Sequence, residues 1–384
     1  MDATSQNSTP QGSPLRSLHT DSFAELLAQL EVSVIVSTYQ AGFLIVLRHD
    51  GSAVNTHFRN CERPMGLAAS GNRLAVGAAR EIVQFRNVGD VAAKVEGPQP
   101  HDACYLPREV HITGDIDIHE MGWGKSVAGD LSAGVNHNGT DDSELWLVNT
   151  RFSCLCTIDR DHSFVPRWRP SFVSGYSPQD RCHLNGMAMV DGLPRYVTAL
   201  GETDSAAGWR ENKARGGVLI DIESGEFISR GLSMPHSPRW YNGRLWLAES
   251  GDGSLGTVDL ATGRYEAVSK LDGFTRGVDF IGPYAFVGIS QVRESAIFSG
   301  IPITERLKER ICGVSVVDLR SGQEVAFVRF EDAVQEIFAV QIVPHRFPEI
   351  LEFSNDLLSN SYVLPDEALN QVSWVEPREE KEKN

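Results

Sequence analysis

A short repeated pattern constrains the fold of this chain more than any other feature. In each copy an apolar strand runs into an aspartate, and a glycine follows four residues later. Three copies share this spacing, at Asp221 and Gly225, Asp259 and Gly263, and Asp318 and Gly322. An aspartate side chain bonds the backbone of a tight turn, and glycine accepts the positive φ that such turns need. The pattern therefore predicts recurring β-hairpins.

A second pattern places a strand of small residues before a turn and a bulkier strand, as at 65–68 and 73–76. Small residues suit a crowded channel around which repeated units converge. Counting these inner strands gives six starting points, at Glu62, His119, His183, His236, Arg276 and Glu336. The spacing between these starting points is that of propeller blades, which bury their faces against their neighbours. It predicts an all-β fold, a six-bladed β-propeller with four-stranded blades.

Ring closure follows from the two ends of the chain. The last inner strand, at 336–343, has no partner strands after it, whereas strands at 32–38, 43–47 and 53–58 precede the first complete blade. We expect these N-terminal strands to complete the last blade, because closure removes the open edges of the ring.

The remaining segments set the domain boundaries. We expect a disordered N-terminal segment at 1–20, because it is rich in Ser, Thr, Pro and Gly. The single propeller domain is predicted to span 21–360, and a C-terminal extension with a charged tail to span 361–384.

Composition narrows the class of partner. The formal net charge is −16, which disfavours nucleic acid and anionic membranes as partners. We find no apolar run long enough for a membrane span and no signal-like N-terminus, and six cysteines are sparse for a chain of 384 residues. We therefore predict a cytoplasmic protein with reduced thiols that binds a small-molecule or peptide ligand, with a protein partner as a further option.

Segments 37–42 (STYQAG), 63–68 (RPMGLA) and 183–188 (HLNGMA) resemble a bacterial family described as a domain of unknown function, DUF4915. The resemblance covers roughly residues 25–360. The repeats are also distantly similar to six-bladed propellers of the gluconolactonase, strictosidine synthase and NHL type. These resemblances imply the propeller fold, but they imply little about function, which depends on the site rather than the fold.

Three successive inner strands are predicted to begin with histidine, at His119, His183 and His236. Three imidazoles at one channel mouth would offer three nitrogen ligands to zinc, iron or copper, leaving a position for water or substrate. The arrangement resembles the propeller lyase that completes peptide amidation, which holds a metal on histidines from different blades. Asp117 and Asn185 are expected to orient the ligands. The bland alternative is a polar channel lining that holds ordered water.

Two further residues share the register of the histidines. Glu336 is a candidate general base or fourth ligand, and Arg276 a candidate for binding a substrate carboxylate. A salt bridge between them is an equal alternative.

Long loops at 201–215 and 290–310 are predicted to rise over the same mouth. Their basic residues hint at an anionic group in the ligand. Together with the start of the first inner strand, they supply four candidate substrate-binding residues: Arg63, Trp209, Arg210 and Arg293. Each of the loop residues has the alternative of being merely solvated.

The leading hypothesis is therefore a metal-dependent enzyme with a three-histidine centre at the channel mouth. Hydrolysis, lyase chemistry and oxidation all remain open. Two alternatives are a non-catalytic propeller that binds a protein or peptide, and a metal-free, lactonase-like hydrolase that uses Glu336 with a histidine.

Overall fold

Short strands are the main regular secondary structure in the computed structural model, which describes residues 15–126, 143–291 and 300–372. In chain order the strands are β1 Ser17–His19, β2 Ser33–Thr38, β3 Phe43–His49, β4 Val54–Asn60, β5 Leu67–Ser70, β6 Arg73–Gly77, β7 Glu81–Asn87, β8 Ala103–Ile112, β9 Ile118–Lys125, β10 Ser143–Asn149, β11 Cys154–Thr157, β12 Val165–Trp168, β13 Leu184–Val190, β14 Leu193–Ala199, β15 Gly217–Asp221, β16 Phe227–Leu232, β17 Pro235–Tyr241, β18 Arg244–Glu249, β19 Ser254–Val258, β20 Tyr265–Lys270, β21 Phe274–Ile281, β22 Tyr284–Ser290, β23 Cys312–Asp318, β24 Gln323–Phe330, β25 Ala339–Val343 and β26 Pro348–Ile350.

Helices are few and short in the described ranges. They are α1 Asp21–Leu30, α2 Gly89–Ala92, α3 Pro302–Arg306, α4 Asp356–Ser359 and α5 Asp366–Leu369, with one 3₁₀ turn at Gly208–Asn212. No helix in this part of the chain is both long and apolar enough to cross a membrane.

The strands form a six-bladed β-propeller, as the repeats predict. Five blades are continuous in sequence: β5–β8, β9–β12, β13–β16, β17–β20 and β21–β24, which we number blades 1 to 5. Each is an antiparallel meander whose first strand lies at the channel. The predicted four-stranded blades are therefore confirmed.

Blade 6 closes the ring with both ends of the chain. Its order is β25–β2–β3–β4, so one C-terminal strand pairs with three N-terminal strands. Val34 lies opposite Ile342, and Ser37 lies opposite Ala339. This confirms the predicted closure, although regular pairing begins at Ala339 rather than at residue 336.

Two extra strands extend the outer edges of two blades. β26 adds in parallel to β8 of blade 1, and β1 adds to β24 of blade 5, with Leu18 opposite Arg329. The expectation of disorder through residue 20 is therefore wrong for 17–19. The three-residue strand is too short to leave an alternating pattern, and its partner lies some 300 residues later.

The repeated turns adopt the geometry that their sequence predicts. The glycine nitrogens of Gly225, Gly263 and Gly322 donate to the carbonyls of Asp221, Asp259 and Asp318, at 2.9, 2.8 and 2.7 Å. The three glycines have φ of 73°, 69° and 73°. These turns join the third and fourth strands of blades 3, 4 and 5, at the rim of the ring.

Candidate functional site

At one end of the channel, residues at or just before the starts of five inner strands line a cavity of about 260 Å³. Eight predicted site residues line it: Asp117, His119, His183, Trp209, Arg210, His236, Arg276 and Glu336. The sequence register of the inner strands thus brings together residues from five of the six blades.

Left-handed backbone positions precede the three histidine strands. Asp117, Asp180 and Met234 have φ of 56°, 49° and 48°, and His183 itself has φ of 51°. None is glycine, so each position costs on the order of 1 kcal/mol or more. Such strain is typical of functional sites. Here it turns the chain sharply into the inner strand and holds each histidine at the mouth.

All three histidines use Nδ1 to bond an acceptor of their own blade. Nδ1 of His119 donates to the carbonyl of Asp117 at 3.1 Å, and Nδ1 of His236 donates to the carbonyl of Met234 at 2.9 Å. Nδ1 of His183 donates to the carboxylate of Asp180, at 2.9 and 3.0 Å. These acceptors assign the proton to Nδ1 and leave the Nε2 lone pair for other chemistry.

The imidazoles do not form a metal-binding triad in this arrangement. The rings of His119 and His183 meet edge to face with centroids 4.7 Å apart, whereas the ring of His236 packs against Phe274 at 5.6 Å. Across the described ranges, no group of three or more His, Cys, Asp or Glu side chains is placed to hold a metal ion. The zinc, iron or copper centre therefore stays a prediction.

Burial dominates the electrostatics of the mouth. Desolvation lowers the pKa of His119 and of His236 well below 6.5, and the nearby charge of Arg276 lowers both further. Desolvation also raises the pKa of Asp117 and of Glu336, against the opposing effect of Arg276. The cavity thus combines neutral imidazoles with carboxyl groups that favour the protonated form more than usual.

Arg276 is the buried cation at the centre of these interactions. Its guanidinium stacks on Phe338, 3.3 Å from the ring centroid, and its Nη1 lies 3.4 Å from Oε1 of Glu336. Nη2 is buried and has no hydrogen-bond partner within the described ranges. The predicted salt bridge with Glu336 therefore exists, but it is long and leaves the guanidinium incompletely satisfied.

Trp209 is buried rather than solvated. It lies in the 3₁₀ turn at Gly208–Asn212 and is 3% exposed. Its ring packs on His183 with centroids 4.5 Å apart, and its Nε1 donates to Oδ2 of Asp180 at 2.9 Å. One carboxylate thus holds both the imidazole and the indole that covers it.

The first long loop and the described part of the second, 300–310, pack together beside the mouth. Both connect the second and third strands of their blades, 3 and 5. Their apolar residues form one cluster with the starts of two inner strands, comprising Leu200, Trp209, Met234, Phe274, Ile301 and Ile303. The cavity therefore has an apolar wall beside its charged residues.

Two described residues of the predicted site, Arg63 and Asn185, do not line the cavity. Arg63 donates to the hydroxyl of Tyr39 at 3.0 Å and so supports a lining residue instead. Asn185 does not contact a histidine; it donates to the carbonyl of Pro235 and accepts from Thr198, because its side chain points between blades 3 and 4. Arg293 lies outside the described residues.

Sequence reasoning missed Asp180 and the aromatic residues Tyr39, Phe274 and Phe338. The signal for Asp180 was its position three residues before His183, since the Asp117 prediction already placed an acid just ahead of a histidine. The aromatic residues sit in ordinary strand and turn contexts, and nothing local marks them as lining.

A layer of hydrogen-bonded polar side chains lies in the channel below the mouth. Arg239 of blade 4 makes two hydrogen bonds to Glu120 of blade 2, at 2.9 and 2.8 Å. Because blade 3 lies between these blades, the ion pair crosses the channel. Gln341 and Asp279 add a second contact in this layer, at 2.8 Å. These contacts therefore lie in the channel, beyond the residues that line the mouth cavity.

Two solved structures match this chain at low sequence identity. A chain of the crystal structure of a nidogen/laminin complex matches with a TM-score of 0.48 and 10% identity, covering 82% of this chain and 99% of that one. A protein of unknown function from Bacteroides caccae matches with a TM-score of 0.47 and 9% identity over the same shares. No curated protein matches the sequence.

The family comparison covers most of the propeller. The model of a domain of unknown function, DUF4915, matches residues 21–351, from the start of α1 to just beyond β26. This range includes all six blades and every lining residue of the mouth cavity, so the chain belongs to the DUF4915 family.

Proposed function

We propose that this protein is a hydrolase whose general base is His183, acting on a small molecule in the mouth cavity. The observation that carries the proposal is the pairing of His183 with Asp180. The carboxylate fixes the proton on Nδ1 and leaves Nε2 as the acceptor. Among the described residues Nε2 has no hydrogen-bond partner, and His183 lines the cavity. An imidazole held by a carboxylate in this way is prepared to take up a proton.

The reaction is the addition of water to the acyl carbon of an ester or lactone. As the water oxygen bonds to carbon, one water proton moves to Nε2 of His183, and Asp180 stabilises the imidazolium that forms. The carbon–oxygen bond to the leaving group then breaks, and the departing oxygen takes the proton from Nε2. His183 returns to its neutral form and no other reactant is consumed.

The surrounding carboxyl groups support an acid–base site. The raised pKa of Glu336 and of Asp117, caused first by desolvation, favours the protonated form of both carboxyl groups in the cavity that His183 lines. Clusters of groups with perturbed pKa in a cleft are typical of active sites. The position of His183 and Asp180 behind Trp209 supports the proposal further. Where bulk water is excluded, the attraction between the carboxylate and an imidazolium is stronger.

The chain offers a matched control for the test. His162 is held by Asp159 with the same spacing of three residues, Nδ1 to carboxylate at 2.8 Å, but on the surface. We would measure hydrolysis of a panel of aryl esters and lactones by the full chain. His183→Ala is expected to lower the rate by roughly 10²- to 10⁴-fold, and His162→Ala to leave it unchanged. Equal rates in the two variants would overturn the proposal.

A metal-dependent enzyme is the second candidate, favoured by one specific observation. All three histidines donate Nδ1 to an oxygen or carboxylate, which is how metal-bound histidines are usually oriented. A zinc, iron or copper ion would bind the three Nε2 atoms and supply a polarised water. This candidate requires the imidazoles of His119, His183 and His236 to converge further than they do here.

Elemental analysis of the untagged protein separates the two candidates. Near-stoichiometric metal that is lost in His183→Ala and retained in His162→Ala would favour the metal enzyme. Metal-free protein with intact hydrolysis would favour the general base. Binding of a ligand without any turnover would instead favour the non-catalytic propeller.

A further inference from the structure

We infer that the mouth cavity takes a small molecule that combines one carboxylate, bound by Arg276, with a compact apolar body packed against Trp209 and Phe274. The inference deepens the proposed function, since it names the substrate class of the same pocket. It rests on that proposal only in taking the cavity as the site.

The first step is the unsatisfied charge of Arg276. A buried guanidinium presents five donors and is stabilised only when they are paired. Arg276 has one long contact, at 3.4 Å to Glu336, and its Nη2 has no hydrogen-bond partner in the part of the chain that the structure describes. Its side chain is 12% exposed, so bulk water supplies little compensation.

Arg239 provides an internal comparison. It also lies on an inner strand and faces the channel, but its Nη1 and Nη2 both bond Glu120, at 2.9 and 2.8 Å. The same channel therefore contains one arginine with a bidentate carboxylate partner and one without. A ligand carboxylate would give the guanidinium of Arg276 a close charged partner, as Glu120 does for Arg239.

The second step is the apolar wall. Trp209, Phe274, Leu200 and Met234 all line the cavity and belong to one buried cluster. They come from the loop of blade 3 and the starts of the inner strands of blades 4 and 5. A wholly polar ligand would leave these surfaces against water, whereas an aromatic or branched aliphatic group would bury them.

The third step is size. A volume of about 260 Å³ corresponds to roughly nine water molecules, and the Glu120–Arg239 ion pair lies in the channel below it. The pocket therefore suits a short acid rather than a polymer or an extended peptide chain.

The probes are three small acids: phenylacetate, 3-phenylpropionate and 4-methylpentanoate. Each acid is compared with the alcohol of the same carbon skeleton, and acetate serves as the carboxylate without an apolar body. Binding to the full chain is measured by isothermal titration calorimetry. We expect at least one acid to bind, and its alcohol and acetate to bind more weakly by roughly tenfold or more. An alcohol that binds as tightly as its acid, or the absence of binding by all three acids, would overturn the inference.

Substitutions in the cavity test where the acid binds. Arg276→Gln is expected to weaken binding of the acid by roughly tenfold or more, since a charged hydrogen bond is lost, while the exposed control Arg244→Gln leaves it unchanged. Unaltered affinity in a folded Arg276→Gln variant would contradict the assignment. If that variant does not fold, Trp209→Leu tests the apolar wall and the acid–alcohol comparison on the parent still decides.

His183→Ala distinguishes this inference from the proposed function. It is expected to retain binding of the acid although it loses the proposed base. Binding without any hydrolysis in the parent would overturn the hydrolase proposal and leave the substrate class standing. Hydrolysis of neutral esters with no binding of acids would do the reverse.

Discussion

Oδ1 of Asp180 lies 2.9 Å from Nδ1 of His183, and Oδ2 of the same carboxylate accepts a hydrogen bond from Trp209. The carboxylate therefore fixes three things together: the tautomer of the imidazole, the plane of its ring and the position of the indole that covers it. Both Asp180 and His183 adopt left-handed backbone conformations. The short segment between them is thus shaped to bring the two side chains together rather than to continue a strand.

Asp180→Asn should change the tautomer of His183. The amide nitrogen of asparagine donates hydrogen bonds and cannot accept one. It can therefore bond an unprotonated Nδ1, and the Nε2–H form gains population. Nitrogen NMR of the ring distinguishes the two forms in the resting protein, without any substrate. We expect the parent to show Nδ1–H and the variant to shift toward Nε2–H, with Asp159→Asn leaving His183 unaffected. An Nε2–H tautomer in the parent would contradict the assignment.

The fold was predictable from the sequence because each blade of a propeller is built from the same local interactions. Each turn such as Asp221–Gly225 needs only its own side chains to form, so its pattern is visible in isolation. The small residues of the inner strands fixed where each blade begins, and that register placed His119, His183 and His236 around one cavity.

What the sequence did not predict depends on neighbours that are distant along the chain. Trp209 lies in a loop among charged residues and looks solvated, yet it is buried against residues of blade 5 such as Ile303. Asn185 has the register of a channel residue, but its side chain bonds across to blade 4. The strand at Ser17–His19 exists only because β24 offers it an edge. None of these outcomes leaves a local pattern.

Trp209→Phe isolates the indole hydrogen bond from the packing of the ring. The variant keeps an aromatic ring beside His183 but loses the Nε1 donor to Asp180. A hydrogen bond to a charged group contributes roughly 1.5–3 kcal/mol, and we expect the free energy of unfolding to fall by about 1.5 kcal/mol. Urea denaturation measures this, with the exposed Trp240→Phe as control. Equal losses in the two variants would show that the hydrogen bond contributes nothing specific.

Gly277 tests how closely blades 5 and 6 approach beside Arg276. Its φ is +74°, and a Cβ there would lie 2.7 Å from the nitrogen of Val340. Gly282 also has positive φ, at +54°, but a Cβ there meets nothing within 4 Å. Both changes to alanine carry a backbone cost of about 1–2 kcal/mol.

Only Gly277→Ala adds a clash with backbone, which costs a further 1–3 kcal/mol, roughly. Thermal and urea unfolding of the two variants should therefore differ, with Gly277→Ala the less stable. Similar stabilities would mean that the inner strands of blades 5 and 6 separate easily at this point.

Glu349 of β26 links blade 6, which closes the ring, to blade 1. It accepts hydrogen bonds from His57 and Arg59 of blade 6, at 3.0 and 2.9 Å, while its strand pairs with β8 of blade 1. Burial opposes ionisation, but His57 and Arg59 lower the pKa of Glu349 from 4.5 to about 2. Because the folded-state pKa lies below the unfolded one, the carboxylate stabilises the protein fully above about pH 4.5. That stabilisation is lost as the pH falls toward about 2.

Glu349→Gln should therefore lower the free energy of unfolding near neutral pH by about 3 kcal/mol. It should also remove part of the decline in stability between about pH 4.5 and pH 2, because the variant has no carboxylate to protonate at this position. Urea titrations at a series of pH values measure both effects. Glu352→Gln, which changes a carboxylate of the same segment that bonds only the exposed Asn60, is the control. If the stability of Glu349→Gln fell between about pH 4.5 and pH 2 as steeply as that of the parent, this carboxylate would not contribute to the acid sensitivity of the fold.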